Sequence, residues 1–433
     1  MGKRYVLFCW ILVIPFLGMA KRERPQLLVY GYGADAYAAA LQSAMSNVNT
    51  VWVINGDRMM PELTTEPLSI ASGDYLDAGI WAGLLAGTKK EKASDSLSMT
   101  VKRRINPQLV RNTVDSILKS FNNLTVIEGT ALRSVKQSGK SWRIELADRT
   151  NFKVRAVVDA SVDAQLYKMA MGTLDSFQVR TDIGEDYFRS IPYQALARTG
   201  VAVGDVGDGG GFTLPLASLV PEGDNNLFLT RLLPVVQRYM RDTEMSIPML
   251  MHIGQAVGAA ASYTAFFKTT ADKLDTRSVQ GELLQYGARL IPFVDVPLES
   301  PHFAAIQRLG ATGMLLGRED EHGRLHFDAD ATVTADEVKP VLNALFSRSQ
   351  IWFIDHDTVD TFTMADLFSY IKFVGQRGNE LEGQVQKNWT RRYHFGNQYE
   401  EEQPVTRAQF AVLLDAYCNP FDVKVGLDGS IQR

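Results

Sequence analysis

The sequence predicts an α/β fold: an open parallel sheet that starts on a βαβ unit, a small antiparallel β meander, and a mostly helical module toward the C-terminal end. Three observations predict it. Two short, wholly apolar runs, Leu27–Tyr30 and Val51–Ile54, have the length and residue type of strands buried on both faces. Between them Gly31 and Gly33 precede an alanine-rich stretch, 34–44, without a helix breaker. Beyond residue 290 the apolar spacing becomes helical, and threonine-headed helix starts recur.

Strand, glycine turn, helix and strand within about thirty residues is the βαβ arrangement that seats a dinucleotide, its two phosphates resting on the helix N-terminus. The G-x-G-x-x-G pattern reads Gly31, Gly33, Ala36, the last being the smallest residue that carries a Cβ. The second strand ends in Asn55, where a carboxylate would hold ribose hydroxyls by charge-assisted bonds. The next segment, Pro61 to Ser69, pairs Thr64 and Thr65 among turn formers and is expected to cross the edge of the sheet.

Residues 87–104 carry Lys89, Lys90, Lys92, Arg103 and Arg104 and read as a solvated surface loop. Asn106-Pro107 starts a helix through Leu118, proline being suited to a first turn. Three alternating segments, 124–127, 131–135 and 141–146, predict the meander, with Ser138-Gly139 as a turn. An apolar strand follows over 152–159 and leads into Ala160-Ser161-Val162-Asp163. The glycine-rich end of 173–211 reads as a flexible connector, since no Lys-Ser/Thr follows to make a phosphate loop. Residues 212–221 are expected to be extended, 226–233 a short buried strand ending in Thr230-Arg231, and 247–267 a long helix with a small-residue face.

The chain has 433 residues, 45% of them hydrophobic and 22% charged, an ordinary globular balance sufficient for two or three domains. Lys3 and Arg4, the apolar run 5–17 and Gly18-Met19-Ala20 predict a cleaved secretory signal over 1–20, and so a product exported to periplasm, cell envelope or medium. Its removal takes two basic residues from 45 and leaves a formal charge of 43 − 49 = −6. That excludes a nucleic-acid binder. Cys9 leaves with the signal, and Cys418 alone permits no intramolecular disulfide.

Taken together, VYGYGADAYAAA, LTTEPLS, FKVRAVVDASVDAQL, FTLPLASLVPEGDNNLFLTR and MHIGQAVGAAA resemble, in order and spacing, the bacterial FAD-dependent oxidoreductases of the glutathione-reductase-type flavoprotein fold, over roughly 27–268. The resemblance implies a Rossmann-like FAD/NAD(P)-binding domain over 21–270 and FAD as cofactor, with hydride or electron transfer through the flavin on an unknown small molecule. It implies that Gly31, Gly33 and Ala36 face the diphosphate and Asn55 the adenosine ribose. Asp163 would stand near the phosphate and ribityl chain, Arg231 near the flavin, and Gly254-Gln255 would open a helix whose N-terminal dipole favours reduced flavin. Asn55, Val162 and Thr230 depart from the family's acidic residue and two glycines, and Pro61-Glu62 and Glu66-Pro67 stand where glycine pairs are expected. Each puts bulk or negative charge where backbone would touch an anion. A degenerate, non-catalytic relative serving as a scaffold therefore stays open beside an enzyme.

No residue declares itself a general acid or base. His252 is best placed, and a satisfied core histidine is the simpler reading; methionines at 240, 245, 249 and 251 read as core filling. In the C-terminal third, Phe293-Val-Asp-Val-Pro297, the helix 302–309, a glycine turn, the acidic loop 327–330 and the starts at Thr334, Thr363 and Thr406 resemble divergent S-layer homology repeats over about 288–420. That resemblance implies contact with an anionic cell-envelope glycan through the arginine after threonine, which only Arg407 retains. His322 and His326 near Asp328 and Asp330 lack a spacing that fixes a metal, so no metal site is expected.

Overall fold

The computed structural model describes residues 24–432 apart from 175–176, 184–194, 206–209, 224, 240–245 and 397. The expected signal segment, Met240, Met245 and the middle of the glycine-rich connector lie outside the described residues.

The first unit is β1 (Leu27–Tyr30), α1 (Ala34–Met45) and β2 (Thr50–Ile54). Then come α2 (Pro61–Thr64), α3 (Gly79–Lys89), α4 (Asp95–Lys102), α5 (Pro107–Lys119) and β3 (Leu124–Glu128). Strands β4 (Leu132–Ser138), β5 (Ser141–Leu146) and β6 (Asn151–Val154) form the antiparallel meander, and β7 (Ala156–Asp159) leads to α6 (Gln165–Met171). After the hairpin β8 (Gly200–Asp205) and β9 (Gly211–Pro215) come β10 (Leu227–Leu229) and the long helix Ile247–Phe267.

The main sheet is parallel, in the order β10-β7-β1-β2-β3, with Leu27 beside both Thr50 and Ala156. Both of its faces are covered, which explains the continuous apolar runs. Leu27, Val29, Trp52 and Ile54 point into the core shared with α1 and the long helix, whereas Leu28, Tyr30, Val51 and Val53 pack against Trp142, Ile144 and Leu146 of the meander. Eleven of the twelve α1 residues are buried, so this helix needs no polar face.

The structure corrects the meander. Leu124–Glu128 pairs with β2 in the parallel sheet rather than with β4, and the single strand expected over 152–159 is two. Burial alternates through β6, one face of which is exposed, and is continuous through β7, which lies inside the main sheet. Arg155, whose N–H bonds Gln26 O at 2.7 Å, marks the change. The connector expected over 173–211 runs into the antiparallel pair β8–β9 instead.

The C-terminal part is mainly helical, and a closed ring of backbone bonds organises it. Val333 N donates to Val405 O (3.1 Å), Phe362 N to Val333 O (2.9 Å) and Val405 N to Phe362 O (2.8 Å). Each member immediately precedes a helix-starting threonine: Thr334, Thr363 or Thr406. The apolar core runs without interruption from the sheet into these helices, joined by Gln307, whose Oε1 accepts from Leu290 N and Ile291 N (2.7 and 2.9 Å). Among the described residues no helix is long and apolar enough to cross a membrane.

Candidate functional site

At the carboxyl edge of the parallel sheet, the β1–α1 turn sets the geometry. Gly31 has φ +147° and its carbonyl accepts from Trp52 Nε1 at 2.8 Å; a Cβ there would meet the backbone of Ala160, so only glycine lets β1 and β7 end this close together. Gly33 caps α1 in an extended conformation and offers no side chain to the free N–H groups behind it. Ala36 is fully buried on α1.

The anion position is already filled by this chain. Glu62 Oε1 accepts from Ala34 N at 2.6 Å, reaching back from α2. The Arg231 guanidinium covers the open side of Gly33, where a Cβ would run into it. Arg231 Nη2 pairs with Asp35 Oδ1 at 2.8 Å and lies 3.6 Å from Glu62, and Asp35, wholly buried, also accepts from the Thr230 hydroxyl. Burial pushes the Glu62 carboxyl above its usual range, opposed by the backbone N–H groups and by Arg231. Burial would lower the Arg231 guanidinium, but Asp35 outweighs it and holds the charge on.

The far end of the same edge is different. A cavity of about 350 Å³ opens between Ile54, Gly56, Arg58, Glu128 and Gly129, at the ends of β2 and β3. Asn55 stands beside it with Oδ1 buried and unbonded, while its Nδ2 reaches Gln165 Oε1 at 3.4 Å. The cavity leaves this half of the edge open, although the buried Asn55 Oδ1 is not among the atoms that line it. A diphosphate does not fit the other half, because a carboxylate and a guanidinium already occupy the approach to Ala34 N and Gly33.

The remaining expected residues fall elsewhere. Asp163 is exposed on the turn after β7, 3.5 Å from Gln165 Nε2. The buried acid at that strand end is Asp159, which takes Ser161 N (3.0 Å), Ser161 Oγ (2.6 Å) and Tyr167 N (2.8 Å) and is raised to about 6, chiefly by burial. Gly254 and Gln255 lie inside the long helix, which begins at Ile247, so they do not present its N-terminus. Gly254 lets the Asp35 backbone approach, and Gln255 bridges Ile80 N (3.1 Å) and Gln42 Oε1 (3.0 Å). Their small and amide side chains serve the packing of three helices. Arg231 stands at the start of α1 rather than apart from it.

His252 is buried, with Nε2 2.7 Å from Leu76 O, and is lowered to about 4, first by desolvation. It is therefore a neutral core donor and is not placed for proton transfer. Sequence reasoning missed Lys102, assigned to a solvated loop. This residue is buried at the end of α4 and bonds Asp77 (2.6 Å), Asp74 (3.0 Å) and Ser72 O (2.9 Å). Asp77, which also accepts from Trp81 Nε1 (3.0 Å), is nevertheless raised to about 6, because desolvation outweighs Lys102. The available signal was Ser98, Val101 and Lys102 sharing the buried face of a helix capped by Ser94. Donor atoms of Asp295, His326 and Asp328 lie within 4.8 Å of one another, but the Asp295 carboxylate already accepts from Phe327 N and Asp328 N, both at 2.7 Å.

Comparison with known proteins agrees with the sheet and its turn. Residues 26–176 match the family model described as FAD dependent oxidoreductase, a match that supports FAD as the cofactor of this region. Solved structures that part of this chain is similar to include the bacillithiol disulfide reductase of Staphylococcus aureus (13% identity, 32% of this chain and 38% of that one, TM-score 0.23). Two others are a thioredoxin reductase of Lactococcus lactis (13%, 32% and 35%, 0.23) and the p-nitrophenol 4-monooxygenase of Pseudomonas putida (14%, 36% and 45%, 0.26). The chain spans less than half the length of each, and likenesses at this level carry no argument about activity. No curated protein matches the chain.

Proposed function

We propose that the sheet-bearing part of this chain is a flavoprotein that acts in redox chemistry on a small molecule outside the cytoplasm. The observation that carries the reading is the β1-Gly31-x-Gly33-α1 turn beside the Asn55 cavity, within the segment matched by the oxidoreductase family. FAD, when bound, supplies the redox chemistry; the chain supplies an adenosine seat between Asn55 and Gly129 and a water-excluding core beneath it. The test is the visible spectrum and melting temperature of purified residues 21–433 with and without excess FAD. A flavin spectrum that survives desalting, or a rise in melting temperature, is expected. A colourless protein whose melting ignores FAD overturns the reading.

A second reading rests on one observation in the C-terminal ring. Arg407 is buried, bonded to Glu337 and stacked over Phe327 with its guanidinium carbon 5.1 Å from the ring centre, yet its Nε and Nη2 have no partner among the described residues. This module would attach a non-catalytic scaffold to the cell envelope, as the resemblance to S-layer homology repeats implies, an anionic glycan reaching the two buried Arg407 donors only where the ring opens. Cosedimentation with cell-wall polymer, compared between the native chain and Arg407→Lys, tests it; equal binding overturns it.

A further inference from the structure

The cradle at the start of α1 is closed from within the chain. Glu62 is 28 positions from the N–H it accepts, so no local capping rule explains the bond. Its turn is firmly rooted. Met60 is fully buried at φ +44°, its N–H bonds Tyr32 O at 2.7 Å, and the Thr64 hydroxyl donates to the carbonyls of Met59 and Met60, both at 2.8 Å. Arg111 additionally donates to Thr64 O. A non-glycine residue held in the left-handed region is retained only where surrounding contacts impose it. The carboxylate therefore stands at the helix N-terminus as a phosphate would, with Arg231 as its counter-ion.

We propose that Glu62 is a built-in anion occupying the diphosphate position, so that a dinucleotide binds only when the Glu62 side chain swings away from Ala34 N. The inference rests on the FAD reading above and deepens it. Charge makes the two states exclusive. Asp35 and Glu62 against Arg231 leave one net negative charge at the turn, and a diphosphate entering beside an undisplaced Glu62 meets two carboxylates and one guanidinium. Once Glu62 leaves, Ala34 N and the outer face of Arg231 are both free for phosphate oxygens, while Asp35 keeps the guanidinium in place.

The experiment measures FAD affinity by quenching of flavin fluorescence in the full chain and in Glu62→Ala, Glu62→Gln and Glu91→Ala, with thermal melting to confirm folding. Glu62→Ala is expected to bind FAD at least about tenfold more tightly, the scale of one charge-assisted hydrogen bond. Glu62→Gln, which keeps an acceptor but loses the charge, should fall between, and the exposed Glu91→Ala should leave affinity unchanged. If Glu62→Ala fails to fold, the Glu62→Gln gain decides alone. Equal affinity in native and Glu62 variants overturns the inference while leaving the FAD reading intact. An equal gain in Glu91→Ala reduces the effect to general charge and also overturns it. Absence of binding in every variant removes both.

Discussion

The two halves of the molecule meet the same problem, the unpaired N–H groups at a helix start, in opposite ways. In the C-terminal ring, Thr363 and Thr406 each accept from the N–H three residues on, and Asp366 and Gln409 bond back, so these starts are sealed locally. At α1 the cap is a bare glycine, and the seal is a carboxylate brought from another element and balanced by a buried ion pair. A hydroxyl cap leaves nothing to offer a ligand. A glycine start closed by a distant side chain is a surface that can be uncovered.

The comparison breaks most severely if α1 is displaced. Gly254→Ala puts a methyl group into the Asp35 backbone, and Gly258 stands in the same relation to Ala39, so neither helix can yield without shifting the cradle. The expected loss is about 3 kcal/mol or more in denaturant unfolding. Loss of the Glu62 contact would accompany it.

The next test separates the halves by pH. His252 lies in the long helix that packs on α1, and its ordinary value of 6.5 falls to about 4 in the folded chain. The unfolded state then binds the extra proton first, so stability is fully present above pH 6.5 and is lost as pH falls toward 4, by about 3 kcal/mol. Asp77 and Asp159, raised from 3.8 to about 6, act with the opposite sign in the overlapping window. They cancel when the native chain is compared with His252→Gln. The advantage of the native chain in chemical unfolding should shrink by that amount between pH 7 and 4, and a constant difference would mean that His252 titrates normally.

The smallest effects sharpen the local side. Thr363→Ala and Thr406→Ala should each cost about 1 kcal/mol in thermal unfolding. Thr334→Ala should cost close to nothing, because the Thr334 side chain caps nothing and Ala335 N is bonded instead to Asp360 O at 2.7 Å. Equal losses at all three positions would show that the ring, rather than the hydroxyls, seals these starts.

What the sequence displayed and what it hid divide along the same physical line. Leu27–Tyr30, the alanine helix, the long helix 247–267 and the threonine helix starts at 363 and 406 were legible because strand length, residue size and helix-start chemistry are local properties. Thr334 with Glu337 has capping-box spacing in the sequence yet makes no box, since Ala335 N is taken by Asp360 O and the Glu337 carboxylate by Arg407. Glu62 against Ala34, Arg231 over Gly33 and Lys102 against Asp77 span 28, 198 and 25 positions. No periodicity marks them, and two of the three residues sat in segments that composition alone assigned to loops. The parallel partner of Leu124–Glu128 was missed likewise, because alternation reports a strand without reporting which sheet it joins.

The cycle through Val333, Phe362 and Val405 has no end member. Removing any one segment leaves a donor and an acceptor stranded on the other two, so the module cannot fray one repeat at a time. Its helices are tied to one another through the ring rather than stacked as separable repeats, so a nick in either of the two chain connections between its segments leaves the backbone bonds of the ring in place.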